Sequence, residues 1–178
     1  FKLVFPEFKY TERMKNFAGL RKVTPKILDI NNILVILLID GSNNHEYFSH
    51  KYNIPNEVRD HLNFCGKYFK EIQMNKNFLK KDLNKNIFLF GKEKIKSLFF
   101  LNSLIKKSFS TIELSQDLIK IDNVSIPKFP ITGEYLLDKG IKSGKKMGEA
   151  ISEIKNKWLD NNFNLDDQQL SKTIKKFK

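Results

Sequence analysis

The residues best suited to chemistry lie between Phe129 and Phe163, where the chain reads FPITGEYLLDKGIKSGKKMGEAISEIKNKWLDNNF. Thr132 has the form of an N-cap for a short helix bearing Leu136 and Leu137, and Gly140 supplies the left-handed backbone that ends such a helix. The turn GIKSG, from Gly140 to Gly144, then runs into a second helix expected to start near Gly144. A helix start offers unpaired N–H groups and the positive end of the peptide dipole, so one preceded by a glycine turn suits a phosphate. Lys142, Ser143, Lys145 and Lys146 surround that start, and the bare Gly140 and Gly144 would let a phosphodiester approach the backbone. Gly148, one turn later, is expected to permit close helix packing. A plain helical corner with a solvated basic face has the same pattern, and the motif alone leaves both readings open.

Other reactive residue types carry less. His45 and His50 are five apart, off a common helical face, and no Asp or Cys completes a ligand set with them or with His61, so solvated or packed histidines are expected. In LLIDG, ending at Gly41, Ile39 stands where a metal phosphohydrolase would place a histidine, which excludes that chemistry. Trp158 has helical spacing from Ile151 and Ile154 and reads as a core anchor. Lys76, Lys80, Lys81 and Lys85 read as the wet side of an amphipathic helix, with an RNA-phosphate track as the alternative. The single cysteine, Cys65, excludes an intramolecular disulfide and a cysteine zinc cluster and fits a reducing cytoplasm.

The elements that must position these residues are helices. Apolar residues recur three and four apart over most of the length, which predicts an all-α fold: a helical bundle followed by a smaller helical unit with the helix-glycine turn-helix. After Pro55, the residues Val58, Leu62, Cys65, Phe69 and Ile72 form one stripe. Thr24-Pro25 predicts the start of a helix carrying Ile27, Ile30 and the run Ile33 to Ile39, the most buried of the set. Gly91 is placed to end a helix from about Asn77, and Ile95, Leu98, Phe99, Asn102 and Ile105 make the face of the next. The turn formers in DNVSIPK, from Asp122, predict a boundary between two packed units. Asp166 with Gln169, and Leu165 with Leu170, have the spacing of a capping box and a hydrophobic staple, so a last helix should start at Asp167.

The chain carries 32 Lys and Arg against 20 Asp and Glu, a formal charge of +12, with 40% apolar residues including 16 Phe. That apolar content supports a folded protein, and the field attracts polyanions, nucleic acid first among them. AT-rich coding would produce a similar lysine excess, so charge alone does not decide for RNA. The longest apolar run is far short of the roughly 20 residues that span a bilayer, so no membrane partner is expected.

FPITG, LLDKGIKSGKKMGEA and WLDNNFNL together resemble the C-terminal signature of class II tRNA nucleotidyltransferases (CCA-adding enzymes) and the related bacterial poly(A) polymerases. That signature runs Phe-Pro-hydrophobic-Ser/Thr-Gly, then Leu-x-x-x-Gly-hydrophobic-x-x-Gly, then hydrophobic-Gly and a later Trp. Its anchors fall on Phe129, Pro130, Thr132, Gly133, Leu136, Gly140, Ile141, Gly144, Met147, Gly148 and Trp158. Upstream, VFPEF, LVILLID and IPNEVRDHL resemble the neck-to-body region of bacterial members, in the right order.

The resemblance implies a catalytic head, N-terminal to this region, in which a Gly-Ser and an Asp-x-Asp serve two metal ions, and a neck with a Glu-Asp-x-x-Arg template. Neither pattern is in the chain: Gly41-Ser42 is followed by no Asp-x-Asp. The opening FKLVFPEF has no initiator Met, and the expectation is a piece of a longer protein. Residues 1–24 would end the neck, 25–121 form the body and 122–178 the tail. The intact enzyme would use Mg²⁺ with CTP or ATP in the cytoplasm, attacking the α-phosphate with an RNA 3′-hydroxyl. This piece would need no cofactor, be inactive alone, and hold the acceptor and TΨC regions of tRNA for the head of the same chain. Poly(A) addition, and a scaffold or dimerisation module without RNA contact, are the alternatives; the oligomeric state is left open. The expected RNA-phosphate contacts are Gly140, Lys142, Ser143, Gly144, Lys145 and Lys146, with Arg13, Arg21 and Lys22 near the neck junction as a second set.

Overall fold

The computed structural model describes residues 4–16, 29–75, 77–106 and 110–178. Among the described residues the regular elements are helices and none is a strand, so the chain is all-α. It divides into two compact units, Phe1–Val124 and Ser125–Lys178. The first begins with a 3-10 turn, Thr11–Asn16, and continues with α1 (Ile30–Leu38), α2 (Asn44–Lys51), α3 (Asn56–Met74), α4 (Leu83–Phe90), α5 (Lys92–Ile105) and α6 (Thr111–Asn123). The second holds α7 (Gly133–Asp138), α8 (Lys145–Asp160) and α9 (Asp167–Phe177).

The apolar run forms the centre of the first unit: Val35, Ile36, Leu38 and Ile39 are fully buried. Its helix starts later than Thr24-Pro25 predicts. Asp29 is extended and its carboxylate accepts from the Asn32 amide at 2.8 Å, so α1 begins at Ile30; Thr24 and Pro25 lie outside the described residues. On α3 the expected stripe is buried at Leu62, Cys65, Phe69 and Ile72, each large member worth about 2–5 kcal/mol on truncation to Ala. Burial pushes the Cys65 thiol up to about 12, which makes it a packing group and not a nucleophile.

The helix expected from Asn77 begins instead at Leu83. The Lys80 and Lys81 amides both turn back to the Asn77 carbonyl, at 3.0 and 2.7 Å, and Asp82 takes a left-handed conformation (φ 57°) that interrupts any helix. Gly91, at φ 84°, then joins α4 to α5 as a single residue: its N–H reaches the Ile87 carbonyl and its own carbonyl accepts from Ile95. A side chain would be strained there. Helix α5 buries Phe100, Leu101 and Leu104 as well as the expected Ile95, Leu98 and Phe99, because α1, α3, α4 and α6 all pack against it. A helix enclosed by neighbours is apolar over most of its circumference.

The second unit closes over Leu136, Ile141, Ala150, Ile154 and Ile174. Trp158, buried, meets Phe129 and Phe163 edge-on, with ring centroids 5.3 and 4.8 Å away. Thus the Trp of the signature is a core anchor. The Asp166 side chain caps α9 at the Gln168 amide, 2.8 Å, and Leu165 and Leu170 both pack on this core. Polar ties between α8 and α9 add to the apolar contact: Lys157 donates to Thr173 at 2.7 Å and Lys176 to Glu153 at 2.7 Å, while Lys157 also pairs with Glu153 along α8 at 2.8 Å.

Candidate nucleic-acid interface

The corner between α7 and α8 is built by local rules. Thr132 accepts a hydrogen bond from the Tyr135 amide at 3.2 Å and starts α7. Gly140, at φ 89°, stops it: the Ile141 amide reaches back to Leu136 at 3.0 Å and the Gly140 amide to Leu137 at 2.8 Å. This is a Schellman stop, with its usual apolar contact supplied by Leu136 and Ile141 in the core. The stop therefore anchors one end of the turn while Lys142 and Ser143 remain exposed.

Gly144 forms the other end. Its backbone (φ 111°, ψ −152°) is a conformation that side-chain-bearing residues rarely take, and no side chain caps α8. The Gly148 amide bonds to the Gly144 carbonyl at 3.2 Å, which leaves the amides ahead of it for solvent or a ligand. Lys145 and Lys146 are both exposed; the Lys145 side chain, 93% exposed, lies 3.9 Å from Glu149, a pairing that water screens. A Cβ built on Gly144 would have nothing within 4 Å. The same holds for Gly148, so the expectation that Gly148 permits close helix packing is overturned: this exposed position faces open space because α8 turns its Ala150 and Ile154 side to the core.

The fold adds one cation that sequence reasoning missed. Lys178 lies across the Gly140 turn, its Cε 3.5 Å and its Nζ 3.8 Å from the place of a Gly140 Cβ. Only the return of α9 brings it there, and no local pattern signals that. Gly140, Lys142, Ser143, Gly144, Lys145, Lys146 and Lys178 thus belong to one basic corner, with Asp138 and Glu149 as its acidic neighbours in sequence. The WLDNNF segment plays a different part. Asn162 and Phe163 are left-handed at φ 49° and 65°, and the Phe163 amide bonds to the Trp158 carbonyl at 2.8 Å, closing the end of α8 beside the Trp158–Phe163 ring pair.

The second set of expected contacts falls elsewhere. Arg13 donates to the carbonyls of Ile36 and Ile39 at 2.9 and 2.8 Å and stacks over Tyr10 with its guanidinium carbon 4.1 Å from the ring centroid. It satisfies the carbonyl end of α1. Arg21 and Lys22 lie outside the described residues, as does Lys76 of the lysine run. Lys80 pairs with Glu113 at 3.6 Å and Asp117 at 3.4 Å. Of the histidines, His50 is exposed, His61 meets Ser97 at 3.0 Å, and His45 is buried against Gly66. Among the described residues no three of His, Cys, Asp or Glu lie together so as to hold a metal ion. No described helix is long and apolar enough to cross a membrane.

Comparison with known proteins gives one distant likeness. No protein-family model matches the chain, and no solved structure matches it. A stretch of 52 residues, 29% of this chain, is 33% identical to the CCA tRNA nucleotidyltransferase 1, mitochondrial, of Homo sapiens. That stretch covers 12% of the human protein, so the similarity reaches only a small part of it.

Proposed function

We propose that this chain is the RNA-gripping part of a tRNA nucleotidyltransferase that adds CCA, or part of it, to tRNA 3′ ends. The observation that carries the reading is the corner itself: an uncapped helix start, two glycines with positive φ, and exposed ammonium groups on Lys142, Lys145 and Lys146. Bare amides and flexible cations recognise a sugar-phosphate path by charge and shape, the kind of contact that positions RNA without reading bases. The distant likeness to a CCA-adding enzyme points to tRNA among RNAs and favours CCA over poly(A) addition. Catalysis would belong to a head on the same polypeptide, which would bring the Mg²⁺ ligands and the CTP and ATP sites. The chain by itself would incorporate no nucleotide. Arg13, committed to α1, is left out of the proposed contacts.

The test is tRNA affinity as a function of salt. Each phosphate neutralised contributes about 0.7–0.9 to the slope of log K against log salt. Replacing Lys142, Lys145 and Lys146 together by Ala should weaken binding and lower that slope by about two to three. Binding indifferent to both salt and the triple substitution removes the site; a chain that self-associates in sedimentation but ignores tRNA supports the scaffold reading instead.

A further inference from the structure

The outer face of α6 is apolar where water should meet it. Helix α6 turns Leu114, Asp117, Leu118 and Ile121 inward, and α5 packs against it. On the opposite side Ile112, Gln116 and Ile119 fall within about 60° of one another around the helix axis. Ile112 is 70% exposed and Ile119 57%. A single exposed isoleucine needs no explanation, but two of them about two turns apart on one stripe, facing away from the core, form a seam.

The charges beside this seam say what fits it. Glu113 and Lys120 flank it on the same side, at neighbouring angles and about two turns apart along the axis. Glu113 lies 3.6 Å from Lys80 and Lys120 3.8 Å from Asp117, long contacts that leave Glu113 53% and Lys120 68% exposed. On the other flank Ser115 is neutral and Asp122 is held by Lys96 at 2.6 Å. When two such helices meet antiparallel about a two-fold axis, each flank faces the same flank of its partner with the ends exchanged. Glu113 of one copy then stands opposite Lys120 of the other, and the axis repeats that pair. Ile112 and Ile119 interleave with their counterparts, and the Gln116 carboxamides meet near the axis, where one donates to the other. A parallel pairing sets this flank against the other one and loses both ion pairs.

We infer that α6 is a self-association surface: two copies of this chain pair antiparallel through Ile112, Gln116 and Ile119, with Glu113 and Lys120 fixing direction and register. A polyanion is a poor occupant, because the seam offers it two isoleucines and one acid for each base. The face of one 13-residue helix covers well under the roughly 800 Å² per partner of a standard interface, so the dimer is weak and concentration-dependent. The contact lies in the first unit and does not rest on the RNA reading of the corner in the second.

The test is sedimentation equilibrium of the full chain over a concentration series at fixed salt. The average mass should climb from the 20.9 kDa of one chain toward twice that value. Ile112→Gln together with Ile119→Gln, exposed positions given a good helix former, should leave the melting temperature unmoved and abolish the climb. Lys120→Glu alone and Glu113→Lys alone each turn both ion pairs into like-charge contacts, and each should weaken association by about tenfold. Mixed in equal amounts, those two variants should recover the wild-type association, since every charge then meets its opposite. Both variants remain strongly basic, so bulk attraction does not account for such a recovery. A chain that stays monomeric throughout, dimers indifferent to the two glutamines, or no recovery on mixing overturns the inference.

Discussion

Single residues in this chain divide by what their polar atoms already hold. Arg13 and Lys142 look alike in sequence, each a cation near a helix end, yet only Lys142 is exposed with its corner open. The Arg13 guanidinium reaches two carbonyls at the end of α1 in a half-buried setting, and hydrogen bonds from a charged donor contribute about 1.5–3 kcal/mol each way they are lost. Arg13→Ala should therefore destabilise the first unit by about 2–3 kcal/mol in denaturant melts. Arg13→Lys should recover little, since one ammonium cannot span both carbonyls as a planar fork does. If Arg13 instead contacted RNA, its loss would lower tRNA affinity and leave the melt unmoved.

Elements were legible where amphipathic pattern decided them and illegible where tertiary contact did. The α3 stripe from Leu62 to Ile72 follows from spacing and is found there; Asp166 does cap α9, but its carboxylate takes the Gln168 amide and not the Gln169 amide that a capping box would use. Helix α6 also carried a signal that went unread: Ser110 with Glu113 three residues on, and the Ser110 hydroxyl does accept from the Glu113 amide at 3.2 Å. Helix α2 had no such signal. NHEYFSHK is polar on most faces and is held by burial of His45 and Phe48, not by its own pattern. The corner's glycines and lysines could be read, but Lys178 could not, because its place depends on how α9 packs. The glycines separate the two kinds of cause. A Cβ on Gly66 of α3 would come within 2.4 Å of the buried His45 ring, so Gly66→Ala should cost about 1–3 kcal/mol, as overpacking does. Gly148→Ala, in open space inside α8, should stabilise by about 0.5–1 kcal/mol in the same melts. Should the bare Gly148 serve an RNA strand, that variant will gain stability and lose tRNA affinity together.

At the scale of the whole molecule, the charge excess does not decide how the fold responds to acid; the groups whose protonation differs between folded and unfolded chain do. Burial lowers the pKa of His45 and of His61 below the ordinary 6.5, and in each case the neighbouring carboxylates pull the other way without winning. The unfolded chain therefore takes up these protons first as pH falls below about 6.5, and stability declines from there until the folded-state values are passed. A second decline has a different source. Glu7, held by Lys51 at 2.8 Å, and Asp40, held by Ser42 and Lys9, keep carboxyl pKa values below their ordinary 4.5 and 3.8, so their contribution is present above those values and lost as pH falls through the depressed ones. All four groups belong to the first unit. Melting temperatures from pH 8 to pH 3 should accordingly fall in two stages, and the doubly substituted His45→Asn, His61→Gln chain should lose the slope of the upper stage while keeping the lower. A wild-type melt that is level between pH 7 and pH 5 would show that the two rings are hydrated in the folded state.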